Sequence, residues 1–132
     1  MSPRLALVLL SMTLPVTACL DNLNQRKYFD VLQAAEPGLA RRVERNRESI
    51  EQQLRATVRE RSELPVEHVG LWGESWDLVR KVTDGEQLFM RGRVFHPEGP
   101  ASTYYLAFTV AEDGTVEIAD ARVYSSMGRG PR

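Results

Sequence analysis

Residues 87–110, QLFMRGRVFHPEGPASTYYLAFTV, contain two runs in which apolar and polar side chains alternate on either side of a short interruption. A period of two residues is typical of β-strands that bury one face. The interruption at 97–100, PEGP, has the proline and glycine of a turn. We therefore predict two antiparallel strands, Gln87–His96 and Ser102–Val110, joined by a short connection.

Further alternating segments flank this pair. Val66–Trp72 and Ser75–Val82 precede it, and Thr115–Tyr124 follows it. An Asp-Gly dipeptide at 84–85, and another at 113–114, separates neighbouring runs and indicates tight hairpin turns. The pattern predicts an antiparallel meander of four to five strands.

Helical periodicity precedes the strands. Apolar residues recur at helical spacing over 28–35 and again over 39–64, and Pro65 ends the second segment. Within 39–64 opposite charges lie one turn apart, as at Arg47–Glu51 and Glu51–Arg55. We interpret this segment as one long helix with a solvated, ion-paired face rather than as a basic binding surface.

Helices followed by an antiparallel meander predict an α+β domain in two layers, with the long helix packed on one sheet face. At the level of architecture the layout resembles cystatin-like or NTF2-like domains, in which a long helix lies across a curved antiparallel sheet. Such a likeness implies a fold and no particular activity.

The N-terminus has the composition of an export signal. Residues 1–4 include one basic side chain, and residues 5–16, LALVLLSMTLPV, form an apolar run of twelve residues. A membrane-spanning helix needs about 20 apolar residues, whereas a signal-peptide core has about 7–15. We therefore expect residues 1–18 to be a cleaved signal peptide rather than a permanent span.

The four residues at 16–19, VTAC, resemble the lipobox of bacterial lipoproteins. The resemblance implies cleavage between Ala18 and Cys19, with a diacylglyceryl group on the Cys19 thiol and, in many bacteria, a further acyl chain on the new amino group. Two or three acyl chains give stable attachment to a membrane, at about 0.8 kcal/mol per buried methylene. Cys19 is the only cysteine, so no internal disulfide competes for it.

The resemblance implies localisation to the bacterial cell envelope. In enterobacteria-like lipoproteins an Asp directly after the cysteine favours retention in the inner membrane, so Leu20 at that position implies the periplasmic face of the outer membrane in a Gram-negative host. The chain of 132 residues is long enough for one domain. We expect residues 19–27 to form the lipidated N-terminus and tether, 28–124 a single α+β domain, and 125–132 a flexible tail.

The sequence does not show a catalytic or metal-binding constellation. A net charge of −1 gives no electrostatic attraction for nucleic acid. His68 and His96 lie on separate segments without ligand spacing, and we interpret them as an edge-strand surface residue and a turn residue. Ser75 lacks the context of a nucleophile elbow. We expect a non-enzymatic protein without cofactor or metal.

The strongest candidate site is the second face of the central strands, because Arg, Phe and Tyr are enriched at protein interfaces. The candidate residues are Phe89, Arg91, Arg93, Phe95 and Tyr105, with Tyr124 as a further member. The alternative is an ordinary outer face, covered in part by the first helix or the tail.

Three functions follow from these features. The first is a non-catalytic accessory lipoprotein that binds another envelope protein through this face or an open strand edge. The second is a small-ligand carrier or sensor whose apolar pocket, between helix and sheet, would include Trp76, Tyr104 and Phe108. The third is an envelope enzyme. We interpret Trp72 and Trp76, which flank a strand break, as core residues rather than binding residues.

Overall fold

The computed structural model describes the backbone of residues 16–74 and 81–125, and the side chains of residues 23–74 and 81–125. The described elements, in chain order, are α1 (Val16–Ala35), α2 (Pro37–Arg45), α3 (Arg47–Arg61), β1 (His68–Val69), β2 (Thr83–Asp84), β3 (Gln87–Phe95), β4 (Ser102–Val110) and β5 (Val116–Tyr124). These three helices pack on a five-stranded antiparallel open sheet, which confirms the predicted α+β class.

The strands β3, β4 and β5 form the meander that the sequence predicted, and the two short strands lie on the free edge of β3. β1 pairs with the end of β3, Val94 and Phe95, whereas β2 pairs with its beginning, Gln87 and Leu88. The predicted strand Val66–Trp72 is reduced to two residues. Its continuation is broken because the backbone at Trp72 and Gly73 has positive φ angles of 59° and 78°. Most of the predicted strand Ser75–Val82 lies outside the described residues.

A β-bulge in β5 determines which side chains reach each face. Ala107 pairs with Asp120 while Phe108 pairs with Ile118, so Ala119 is the extra residue. The bulge shifts the alternation by one position. Ile118 and Val123 consequently both pack against the core, although an uninterrupted strand would place them on opposite faces.

The predicted single helix over 39–64 is wrong, since the segment contains two helices, α2 and α3, that meet at Asn46. The side-chain nitrogen Nδ2 of Asn46 donates to the Arg42 carbonyl at 3.0 Å and to the Glu112 carbonyl at 3.4 Å. A side chain that bonds to nearby backbone competes with helix continuation. The helix α3 ends at Arg61 because the backbone of Ser62 is extended, at φ −78° and ψ 133°.

The core lies between the helices and one face of the sheet. Its helical members recur every three to four residues, and its strand members alternate as expected. Fully buried members include Leu32, Val43, Ile50, Leu54, Leu88, Met90, Val94, Leu106 and Phe108. Trp72 is also fully buried, which confirms the interpretation of this tryptophan as a core residue. Trp76 lies outside the described residues.

The β4–β5 turn packs closely against the junction of α2 and α3. Gly114 has a φ of +89°, and a Cβ added there would lie 2.9 Å from the Cβ of Asn46. Gly85, in the β2–β3 turn, also has a positive φ but has nothing within 4 Å of an added Cβ. Substitution at Gly85 therefore tests the cost of backbone strain alone, whereas substitution at Gly114 tests strain together with close packing.

We expect Gly114→Ala to lower the free energy of unfolding by about 2–4 kcal/mol, because strain and overpacking add. Gly85→Ala should cost only the strain, about 1–2 kcal/mol. Urea denaturation of both variants measures the difference. Equal costs would contradict the close approach of the turn to Asn46.

Tyr28 attaches α1 to the edge of the sheet. Its hydroxyl donates to the Phe89 carbonyl at 2.5 Å, and its ring lies edge-on to Trp72 with centroids 5.5 Å apart. Burial raises the pKa of Tyr28 well above its usual range. The phenol therefore stays protonated in the folded state at pH values where an unfolded chain releases the proton.

This difference makes stability fall at alkaline pH. A raised folded-state pKa leaves stability intact below the ordinary tyrosine pKa of about 10, and stability is lost above it at about 1.4 kcal/mol per pH unit. We expect Tyr28→Phe to be less stable at neutral pH by about 1 kcal/mol, through the lost hydrogen bond. The same variant should decline less steeply than the wild type above pH 10 in urea denaturation. Parallel pH profiles would refute the assignment.

Candidate functional site

The candidate site is the face of β3, β4 and β5 that points away from the helices, which we call the outer face. All five predicted residues lie on it, and so does Tyr124, the further member that the sequence indicated. Its members include Phe89, Arg91, Arg93, Phe95, Thr103, Tyr105, Asp120, Arg122 and Tyr124, and Ala107, Thr109 and Glu117 extend it toward the β4–β5 turn.

Strand register sets these residues in rows across the sheet. Tyr105 pairs with Arg91 on one side and with Arg122 on the other, so it stands between two arginines. In the next row Thr103 lies between Arg93 and Tyr124. Directly opposite residues of an antiparallel sheet have Cβ atoms about 5 Å apart. Tyr105 thus lies within reach of both Arg91 and Arg122.

Arginine 122 has a carboxylate partner on this face, and Arg91 does not. Arg122 forms a two-point ion pair with Asp120, at 2.9 Å through Nη2 and 3.2 Å through Nε. Hydrogen bonding to Tyr124 and Asp120 raises the pKa of Arg122. Arg91 is exposed and forms no ion pair with the residues that the structure describes. The centre of the outer face therefore has an excess of positive charge.

An aromatic pair closes the β1 end of the outer face. Phe95 is 39% exposed, and its ring stacks on that of His68 with centroids 6.0 Å apart. His68 Nε2 lies 2.9 Å from Glu74 Oε1, so the carboxylate fixes the imidazole. The expectation that His68 is an edge-strand surface residue is confirmed, because β1 is at the sheet edge and the residue is exposed. Its contact with Phe95 had no sequence signal.

The second histidine is buried rather than a simple turn residue. His96 Nδ1 lies 2.7 Å from the Pro65 carbonyl, so this nitrogen donates, and Nε2 accepts from the Ser102 hydroxyl at 2.7 Å. A serine hydroxyl bonded to an oriented imidazole is the arrangement of an activated nucleophile. Ser102 is only 3% exposed, however, and the pair joins three chain segments below the surface. The geometry therefore fits a structural role, in which His96 and Ser102 hold these three segments together.

A second polar cluster holds α1 to α3 around Trp72, and its links to Trp72 and to α1 had no sequence signal. The indole Nε1 donates to Glu51 Oε2 at 2.8 Å, and Arg47 Nε donates to the same oxygen at 2.8 Å. Arg47 also donates to Gln25 Oε1 at 2.9 Å and lies over the Phe29 ring, 4.7 Å from its centroid. The predicted ion pairs of Glu51 with Arg47 and Arg55 are confirmed. The long-range contacts with Trp72 and α1 explain why Arg47 points inward.

The remaining predicted residues divide into two groups. The backbone of Ala18 and Cys19 belongs to α1, but their side chains are not among those that the structure describes. Tyr104 and Phe108 are fully buried, and the Tyr104 hydroxyl donates to the Gly70 carbonyl at 2.6 Å. A ligand that contacts Tyr104 and Phe108 would therefore have to enter the core.

Within the described residues, no group of three or more His, Cys, Asp and Glu side chains could hold a metal ion. None of the helices in the described part of the chain is long and apolar enough to cross a membrane. Comparison with known protein families, with curated proteins and with solved structures finds no match to this chain.

Proposed function

We propose that this chain is a lipid-anchored protein of the bacterial cell envelope, whose outer face binds an acidic surface of another envelope protein without catalysing a reaction. The lipobox-like residues at 16–19 support the anchor, with Cys19 as the lipidated residue and the periplasmic face of the outer membrane as the favoured location. The helices and the sheet would form two layers in the manner of cystatin-like or NTF2-like domains. Burial of one sheet face against the helices supports that arrangement.

The observation that carries the binding proposal is the row Arg91–Tyr105–Arg122 on the outer face. Arginine and tyrosine combine a flat apolar surface with hydrogen-bond donors, and both are enriched at interface hot spots. Because Asp120 neutralises Arg122, Arg91 is the arginine of this row that has no ion pair among the described residues. A partner that presents carboxylates would be attracted by it, and the charges would mainly accelerate association.

We expect the double variant Arg91→Glu/Arg93→Glu to lose its envelope partner, because reversing two charges replaces attraction by repulsion. Loss of one central hot-spot side chain costs about 2 kcal/mol or more, a factor of about 30 in affinity. The measurement is chemical crosslinking in intact cells, followed by affinity purification and mass spectrometry of captured envelope proteins.

The matched control is Arg41→Glu/Arg59→Glu, which makes the same charge change at exposed positions of α2 and α3. This control should capture the partner as the wild type does. If the outer-face variant also retains it, the outer face is not the binding site. If both variants lose it, net charge rather than this face determines capture, and the assignment is refuted.

A further inference from the structure

The helix α1 has two unlike faces. Tyr28, Phe29 and Leu32 are buried against the rest of the domain. On the opposite side Leu23 is 52% exposed and Val31 is 48% exposed. These are two of the four large hydrophobic residues exposed in the described part of the chain. The exposed face of α1 therefore carries half of the large hydrophobic residues that are exposed in the described part of the chain.

The exposed side chains follow helical spacing. Leu23, Lys27 and Val31 are four residues apart, so they lie one above the other on a single face about 12 Å long. Arg26 is exposed beside them, and Asp30 is the one exposed acid on the same side. We call Leu23, Arg26, Lys27 and Val31 the α1 stripe. Apolar side chains bordered by basic ones are the composition of a helix that lies in a membrane interface.

We propose that the α1 stripe rests on the surface of an anionic phospholipid bilayer, so that α1 lies along the membrane instead of acting as a free tether. This inference rests on the proposed lipid anchor, because Cys19 lies in the same helix and four residues before Leu23. Residues four apart share a helix face. A lipid anchor at position 19 would therefore hold the N-terminal part of α1, and with it the stripe, close to the bilayer.

The charges of the stripe specify the kind of lipid. Arg26 and Lys27 outnumber Asp30, and long basic side chains reach headgroup phosphates while their methylenes stay beside apolar surface. The face that contacts the bilayer is opposite to Phe29, whose ring is covered by Arg47. Membrane contact would thus leave the attachment of α1 to the domain intact.

The single cysteine of the chain makes a direct test possible. Lipidated full-length protein, purified from membranes, is reconstituted into vesicles that contain phosphatidylglycerol, and its reaction with a membrane-impermeant maleimide is timed. Leu23→Cys and Val31→Cys report on the stripe. Leu64→Cys is the matched control, since Leu64 is 45% exposed and follows α3. Each rate is divided by its own rate in detergent.

We expect the stripe cysteines to react about tenfold more slowly in vesicles than in detergent, and Leu64→Cys to change little. Adding Arg26→Glu/Lys27→Glu, or using vesicles of phosphatidylcholine alone, should largely remove the protection. If the ratio of the vesicle rate to the detergent rate is the same for the stripe cysteines as for Leu64→Cys, the inference is overturned. That result includes the case in which protein contact protects the stripe equally in vesicles and in detergent.

The parent protein without an added cysteine separates the two proposals. If it does not react with the maleimide even after denaturation, and its mass includes the acyl chains, Cys19 carries lipid and any failure belongs to the stripe alone. If it reacts, the Cys19 thiol is free and the lipid anchor itself is refuted.

Discussion

Replacing Trp72 with alanine should lower the free energy of unfolding by about 3–5 kcal/mol, as large-to-small substitutions at buried aromatic residues do. Small domains are stable by only about 5–15 kcal/mol, so the variant is expected to be marginally folded. The cause is the number of structures that meet at this side chain. Its ring contacts those of Tyr28 and Phe29 in α1, and its indole nitrogen donates to Glu51 in α3.

Trp72→Phe separates packing from hydrogen bonding. Phenylalanine keeps a ring against α1 but has no donor for Glu51, and Glu51 retains Arg47 and Arg55 as partners. We expect a loss of about 1–2 kcal/mol for this variant. Trp72 also has a φ of 59°, so the fold tolerates a conformation that costs about 1–2 kcal/mol in order to place this ring.

Chemical denaturation followed by far-ultraviolet circular dichroism measures both variants. If Trp72→Ala costs less than about 1 kcal/mol, the ring does not join α1 to the domain and the described packing is wrong. If Trp72→Phe is as destabilised as Trp72→Ala, the hydrogen bond to Glu51 dominates over ring packing.

The strands and the candidate face could be predicted from the sequence because both depend on local periodicity. The alternation of residues 87–110 is enough to place Phe89, Arg91, Arg93, Phe95 and Tyr105 on one face, and the structure confirms that placement. Tyr124 is also expected there from the sequence, but no sequence signal indicates the bulge at Ala119 that brings Arg122 and Tyr124 to this face. A bulge depends on pairing with β4, which local pattern does not encode.

The features that the sequence did not predict share a different cause, which is contact between residues distant in the chain. The helix break at Asn46 depends on the carbonyl of Glu112, 66 residues away. The burial of His96, which the sequence indicated only as a turn residue, depends on its bond to Pro65. Helical periodicity continues through residue 46, so the sequence alone indicated one helix where tertiary contacts produce two.

The second large effect concerns Cys19. We expect Cys19→Ser to lose all labelling by a palmitate analogue and to accumulate as uncleaved precursor, because a serine hydroxyl is a far weaker nucleophile than a thiolate. Without acyl chains the protein also loses the hydrophobic energy of anchoring, about 0.8 kcal/mol for each methylene removed from the bilayer. The expected consequence is that partner capture fails too, although the folded domain is unchanged.

Thr17→Ser is the matched control. It keeps a small hydroxyl residue two positions before the cysteine, within the lipobox-like sequence, and alters neither Ala18 nor Cys19. This variant should be labelled and cleaved as the wild type is. A control that fails would show that the change of sequence near the cleavage position, rather than loss of the thiol, stops processing.

The most direct test of a lipid-anchored domain is metabolic labelling of growing bacteria with an alkyne palmitate analogue, in which the wild type is compared with Cys19→Ser. We predict a labelled wild-type band at the size of a chain that begins at Cys19, and an unlabelled Cys19→Ser band at the larger size of the precursor. A Cys19→Ser protein that is still labelled and cleaved, or a wild type that takes up no label, would contradict the proposal.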